Sequence, residues 1–412
     1  MNDFLRNPEL DRLVHELNRS DEQSDVRDSG EQGVHPDPIE ALDSGQRDVR
    51  RGSTLERLLN EMARQNASDL VLVSGAPPIL RISGELRPVN EALLDGEDIE
   101  EMFAPHLMAR VRRRLELEGS ADFSLRLGSG SSEDGSLRRF RVNIHRQRGD
   151  LAAAIRSLPL QIPTLADLNL PGSLADLVIP RQGLVLVCGP TGGGKSSTLS
   201  ALVGEINRSR ADHIITIEDP VEYEHRNVRS VIEQIEIGRD SVSFSAALRA
   251  ALRQDPDVIL VGEMRDLDTV ATALTAAETG HLILSTLHTS DAEQAIHRII
   301  DVFPPVQQSQ IRHQLALSLN AVVCQQLIPR SEGSGRVPAV EVLVANQAVR
   351  NHIRNEKLQN LVQEITLGRK QGMISLEDSL ARLVSTGVIT VDAARARARR
   401  IEELESYLRT GA

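Results

Sequence analysis

The sequence predicts an α/β chain: a mixed α+β domain, then a domain built on a parallel sheet, then a helical C-terminal region. Three observations lead there. From Gly183 onward, apolar runs alternate with amphipathic helical segments, the order that builds a parallel sheet. Ahead of that stretch, short apolar runs are separated by Gly, Pro and Ser, the pattern of short strands and tight turns. Toward the end, apolar residues recur at helical spacing near 306–322, 346–369, 375–386 and 391–408.

The boundaries follow composition. Residues 1–52 carry more acidic residues than arginines, one aromatic (Phe4), and Gly, Pro, Ser and Gln through their second half. Such a segment buries too little apolar surface to offset its ordering entropy, so an acidic, disordered extension is expected. Leu5, Leu10, Leu13, Val14 and Leu17 suit one amphipathic helix over 3–18, either a docking peptide or part of a solvated tail. Residues 53–150 read as the α+β domain. Leu55, Leu58, Leu59 and Met62 mark a first helix, and short strands follow at 69–73, 79–82 and 85–89. A helical stretch at 97–118 precedes strands at 121–127 and 139–144, with a Gly- and Ser-rich hairpin tip over 128–135. Pro159, Pro163, Pro171 and Pro180 make 151–180 the connection. The core is 181–345, with strands at 184–188, 213–217, 258–261 and 282–287, and the helical region is 346–412.

Composition narrows the classes. With 2% aromatics and no Trp, the cores must be aliphatic. A net charge of −12 weighs against a nucleic-acid binder, which needs a basic surface. No apolar run approaches a membrane span, and the N-terminus lacks the charged start and apolar stretch of a secretory signal. Cys188 and Cys324 are the two cysteines; they are expected to be reduced core residues of a cytosolic protein, and cannot form a four-cysteine zinc site.

The chemistry starts at Gly189-Pro190-Thr191-Gly192-Gly193-Gly194-Lys195-Ser196, a complete phosphate loop. It follows the apolar run Leu184–Cys188 and precedes Leu199, Leu202, Val203 and Ile206 on one helix face. Strand, glycine-rich turn and helix is the order in which such a loop binds a nucleoside triphosphate. Its backbone N–H groups and the helix N-terminus face the phosphates. Lys195 is expected to reach the β- and γ-phosphates, the Ser196 hydroxyl to ligate Mg²⁺, and Ser197 to line the same turn; ATP and Mg²⁺ are the expected cofactors.

If the sheet is parallel, three more segments end at the same edge, where ligands bind. His213–Glu222 delivers carboxylates, including Glu222, a candidate for water or Mg²⁺. Glu263 follows a buried strand and suits the orientation of the attacking water. An acidic residue usually precedes this Glu, but here it is Gly262. His288 ends the fourth strand and is a candidate γ-phosphate sensor. An arginine-rich stretch, Arg138–Arg148 with Arg156 beyond, is either a solvated basic edge or a source of arginine fingers.

The phosphate loop, the box ending Ile217-Glu218-Asp219-Pro220-Val221-Glu222, the signature Leu252–Asp266 and the histidine box around His281 and His288 resemble the secretion ATPase superfamily of type II secretion and type IV pili. The resemblance spans roughly 54–400. Ala67-Ser68-Asp69-Leu70, Phe140-Arg141-Val142-Asn143, Gln147-Arg148-Gly149, Gly335–Glu341 and Ala348–Asn355 look most like its pilus retraction (twitching motility) branch. It implies a PAS-like N-terminal domain and a RecA-like core, assembled as a homo-hexamer with ATP bound between domains and subunits. It implies Glu263 and Glu222 as catalytic carboxylates, and Arg141, Arg148 and Arg156 as basic contacts to the nucleotide between domains or subunits. The expected partners are an inner-membrane platform protein and possibly other pilus ATPases, with no nucleic acid; the expected place is cytoplasmic, peripheral at the inner membrane. The four zinc-binding cysteines usual in assembly and secretion members are absent, so no zinc is expected. Val71 stands where the family usually has His, and Val349, His352 and Asn355 depart from the retraction-type C-terminal motif. A divergent retraction motor, an accessory paralogue and a zinc-free secretion ATPase all remain open. A nucleic-acid translocase, the alternative from another class, fits the acidic charge and scarce aromatics poorly.

Overall fold

The N-terminal domain is a six-stranded antiparallel sheet in the order β3-β2-β1-β6-β5-β4. A computed structural model describes residues 55–89, 92–128, 138–333 and 335–410. The acidic extension and most of the 128–135 hairpin tip lie outside the described residues. Leu55–Ala412 forms one compact unit.

The strands are β1 Asp69–Leu72, β2 Ile79–Ile82, β3 Glu85–Pro88, β4 Ser120–Leu127, β5 Arg138–Gln147 and β6 Asp150–Leu158. Helices α1 (55–64), α2 Gly96–Phe103 and α3 Ala109–Glu118 cover one face. Period-two alternation sends Phe123 and Leu125 of β4, and Phe140, Val142 and Ile144 of β5, into that core. Phe103 meets Phe123 edge-on at 6.3 Å.

Two expectations about this domain need correction. The 97–118 stretch is two helices, because Pro105 starts a separate 3-10 turn at Ala104–His106. Residues 150–158, expected in the connection, are instead a central strand, β6, paired with both β1 and β5. Its run of alanines carries little strand signal, yet Leu151, Ala152, Ala153 and Ile155 are all buried. The connection therefore begins at Pro159.

The second sheet has seven strands, ordered β13-β12-β7-β11-β10-β8-β9. They are β7 Gly183–Cys188, β8 His213–Glu218, β9 Val231–Glu236, β10 Val258–Val261, β11 Leu282–Leu287, β12 Leu319–Pro329 and β13 Arg336–Val344. All run parallel except β13, which pairs antiparallel with β12. Helix α4 (Lys195–Ser209) packs on one face. Helices α5 Phe244–Ala251, α6 Leu267–Glu278, α7 Ala292–Asp301, α8 Pro305–Ser318 and α9 Gln347–Arg354 pack on the other. Both faces are covered, which is why β7, β10 and β11 are buried at every residue.

The helical segment expected at 306–322 ends at Ser318, where β12 begins. Strands β9, β12 and β13 escape the sequence reading. β9 is an edge strand whose sequence, Val231-Ile232-Glu233-Gln234-Ile235-Glu236, lacks clean alternation, and β12 carries two consecutive glutamines inside the sheet. The C-terminal helices Leu376–Ser385, Val391–Arg395 and Ile401–Thr410 build a separate small core on β12 and β13.

Candidate active site

Parallel pairing brings the C-terminal ends of β7, β8, β10 and β11 to one edge. They surround a cavity of about 590 Å³ lined by Thr191–Ser197, Glu222, Glu263 and His288, with Arg141 and Arg156 from the other domain.

The phosphate loop spans β7 and α4. Gly192 and Gly194 take positive φ values of 74° and 86°, open to glycine without strain. Gly189 is required by contact: a Cβ there would lie 2.2 Å from the Gln325 carbonyl oxygen. Gln325, on β12, also clamps the loop with its side chain. Its Nε2 donates to Gly193 O at 2.7 Å, and its Oε1 accepts from Thr198 Oγ1 at 2.7 Å. Lys195 Nζ donates to Gly189 O at 2.8 Å and Pro190 O at 3.0 Å, so these two residues form the base of the loop. Burial pulls the Lys195 pKa below the ordinary lysine value. Ser196 and Ser197 open α4, and Ser197 Oγ lies 2.8 Å from the Tyr223 hydroxyl.

The end of β10 is held by β11. Ser285 Oγ donates to Val261 O at 2.7 Å and Thr286 Oγ1 to Gly262 O at 2.6 Å. This fixes the backbone that carries Glu263. A Cβ on Gly262 would sit 3.1 Å from Ile217 O, a close approach of the β8 backbone. Glu263 Oε2 pairs with Arg265 Nη2 at 2.8 Å and lies 3.9 Å from His288 Nε2. His288 Nδ1 is 3.5 Å from Lys195 Nζ. Burial first, then Lys195 and Arg265, lowers the His288 pKa against the opposing pull of Glu263. His288 thus stands between the loop lysine and the candidate water-orienting carboxylate.

At the end of β8, Glu218 accepts from Thr216 Oγ1 at 2.7 Å and Gln234 Nε2 at 3.2 Å. Burial raises its pKa to about 7 despite those bonds. Glu222 lies four residues on and lines the cavity.

The arginines separate. Arg141 and Arg156 are directly opposed on β5 and β6 and both line the cavity. Arg156 Nε donates to Asp69 Oδ1 at 2.8 Å, and Arg141 Nη2 stands 3.5 Å from Asp122 Oδ1. Arg148 sits in the β5–β6 turn with φ 54° and does not line this cavity, because the turn is at the far end of the strands. His281 begins β11, at the opposite edge, where its Nδ1 lies 3.1 Å from Ala276 O.

Gln325, Arg265, Tyr223 and Arg336 also belong to the site and were given no role by sequence. Arg265 and Arg336 lie within segments that were singled out, and Tyr223 adjoins one. Nothing in the spacing of the chain links Gln325 or Arg336 to a loop more than a hundred residues earlier.

The donors fit a nucleotide and a hard cation. Backbone amides, one lysine and a serine hydroxyl face the phosphate position, with carboxylates beyond. Among the described residues no group of three or more His, Cys, Asp or Glu side chains could hold a metal. Such a set suits Mg²⁺ carried largely by phosphate oxygens and water. Cys188 and Cys324 are buried, free and opposed across β7 and β12.

The chain is similar to known proteins in sequence and in fold. Residues 167–396 match the family described as Type II/IV secretion system protein. The type IV pilus retractation ATPase PilT of Pseudomonas aeruginosa is 41% identical over 345 residues, covering 84% of this chain and 98% of that protein. A twitching motility protein of Neisseria gonorrhoeae is 39% identical, covering 84% and 91%. The solved structure of the pilus retraction motor PilT with bound ADP shares 42% identity at a TM-score of 0.78, covering 85% of this chain and 98% of that one.

Proposed function

The chain belongs to the type II/IV secretion system protein family, and from that premise we propose that it is an ATP-driven motor that retracts type IV pili. It is an ATPase, as its relatives are. The observation that carries the reading is the convergence of Lys195, Glu222, Glu263 and His288 on one cavity with Arg141 and Arg156 of the preceding domain.

The roles follow from position. Amides of the loop and Lys195 bind the β- and γ-phosphates. Glu263 orients the attacking water and Glu222 supports it. Neutral His288 links the γ-phosphate region to Glu263. Arg141 and Arg156 add positive charge where it develops in the transition state. Ser196, with Glu222 nearby, would hold Mg²⁺, which would neutralise phosphate charge.

Arg148, remote from its own chain's cavity, is suited to act on a neighbouring subunit in a homo-hexamer. The motor would work from the cytoplasmic face against an inner-membrane platform protein, alongside other pilus ATPases. Among the described residues no helix is long and apolar enough to cross a membrane.

The test is a deletion strain complemented with wild type or Glu263→Gln, scored for surface motility and pilus number. Motility lost with pili retained, and restored only by wild type, is the expected result. Loss of pili, or loss of a secreted protein with motility intact, would move the chain to the assembly or secretion branch.

A further inference from the structure

We propose that Arg139 is a positioning residue: it ties the N-terminal domain to the backbone that presents Glu222, so that the carboxylate is in place only when the domains are docked. This rests on the reading of Glu222 as part of the catalytic apparatus.

On β5, Phe140, Val142 and Ile144 face the domain core, and Arg139 and Arg141 project from the opposite face. Arg139 is only 4% exposed. A guanidinium is expensive to bury unless its donors are used. Arg139 spends them on backbone of the other domain. Nη2 donates to Val221 O at 2.9 Å and Nη1 to Glu222 O at 3.2 Å. Its Nε lies 3.1 Å from Glu224 Oε1, an ion-pair distance without hydrogen-bond alignment. Arg126, opposite Arg139 in the β4–β5 register, also pairs with Glu224. Burial lowers the Arg139 pKa most and Glu224 counters it, yet a guanidinium stays charged at any working pH.

The nucleotide-binding domain holds the same segment by its other groups. Val221 N donates to Glu236 Oε2 at 3.2 Å, and His225 N donates to Gln234 Oε1 at 2.8 Å. The Tyr223 hydroxyl meets Ser197 on α4. Residues 221–225 are therefore suspended between two domains: Arg139 grips the Val221 and Glu222 carbonyls from one side, while Glu236 and Gln234 hold the Val221 and His225 N–H groups and the Tyr223 carbonyl from the other. Glu222 lies within that span. A rotation of the N-terminal domain must either break the Arg139 fork or displace Glu222. The same strand carries Arg141 to the cavity, so one rigid element delivers a cation and sets a carboxylate.

The test uses the full chain and compares Arg139→Met, Arg139→Lys, Glu222→Gln and the double variant Arg139→Met/Glu222→Gln. ATP turnover, the ADP dissociation constant and amide exchange of 219–226 are measured. Arg139→Met is expected to lower kcat about tenfold or more, with ADP affinity within about threefold of wild type. Arg139→Lys should also lose most of kcat, since one ammonium cannot reproduce the planar fork on two carbonyls. It keeps the buried charge, and serves as the measured variant should the Met variant not fold. Exchange at 219–226 should accelerate in both. The double variant should be no slower than Glu222→Gln, because both changes remove the same contribution.

Unchanged kcat in Arg139→Lys and Arg139→Met, with Glu222→Gln slow, would overturn the coupling role. So would losses that multiply in the double variant. Normal turnover of Glu222→Gln would instead overturn the reading of Glu222 itself.

Discussion

The phosphate loop and the carboxylate segment 218–224 border one cavity at one edge of one sheet, but they are held in different ways. The loop is secured wholly within its own domain: by the turn into α4, by Gln325 of the neighbouring β12, and by Thr198. The carboxylate segment is held jointly, by Glu236, Gln234 and Ser197 on one side and by Arg139 and Arg126 of the N-terminal domain on the other. In the proposed roles, binding rests on one domain's sheet, whereas part of the chemistry depends on how two domains sit together. That division suits a protein that converts hydrolysis into movement, since a domain that moves can switch turnover without surrendering nucleotide.

The comparison breaks most visibly at Lys195. Lys195→Ala removes the buried cation of the rigid half, and turnover should fall at least about a hundredfold, or roughly 2.7 kcal/mol of barrier. Steady-state phosphate release measures it; a loss under tenfold would mean the loop is not where the phosphates bind.

Gln325 sharpens the same half. Gln325→Ala leaves Gly193 O without its Gln325 donor, while Thr198 Oγ1 keeps its bond to Gly194 O; a buried group left unsatisfied costs about 1–3 kcal/mol. ADP should bind about tenfold more weakly, with kcat at saturation changing less. Titration calorimetry reads the first quantity, and an unchanged affinity would show that β12 does not shape the loop.

The smallest effect belongs to Glu218. Its pKa is raised from 4.5 to about 7 in the folded protein. The folded state therefore keeps a proton that the unfolded chain releases. The stability this contributes is full below pH 4.5 and is lost as pH rises through 7. Glu218→Gln should flatten that dependence, gaining about 2–4 °C in midpoint relative to wild type at pH 8 compared with pH 5. Thermal melts at the two pH values decide it, and parallel shifts at both would deny the buried proton.

How much was legible in the sequence follows the same division. The loop announces itself because its glycines, Lys195 and Ser196 are contiguous and its strand and helix adjoin it. Strands β7 and β10 were legible because burial on both faces leaves unbroken apolar runs, and β11 because it opens on Leu282-Ile283-Leu284. β6 was hidden by its alanines, and β12 by Gln325, which serves the loop rather than the core, and by the adjoining Gln326. Gly262 looked like a departure from an acidic pattern, and the close approach of Ile217 O to it shows only in the structure. Arg139 was seen within an arginine-rich stretch, but its distinction from Arg138 and Arg141 lies in what the far domain offers: two carbonyls at hydrogen-bond distance. Contacts across a domain boundary leave no periodicity in either segment.

The most direct measurement is ATP turnover beside ADP affinity in Glu263→Gln and wild type. Glu263 keeps its place at the end of β10 in that variant but loses its charge. ADP affinity should stay within about threefold while turnover falls at least about tenfold, equivalent to ~1.4 kcal/mol of barrier. Turnover equal to wild type would contradict the assignment, because water activation would then not pass through Glu263.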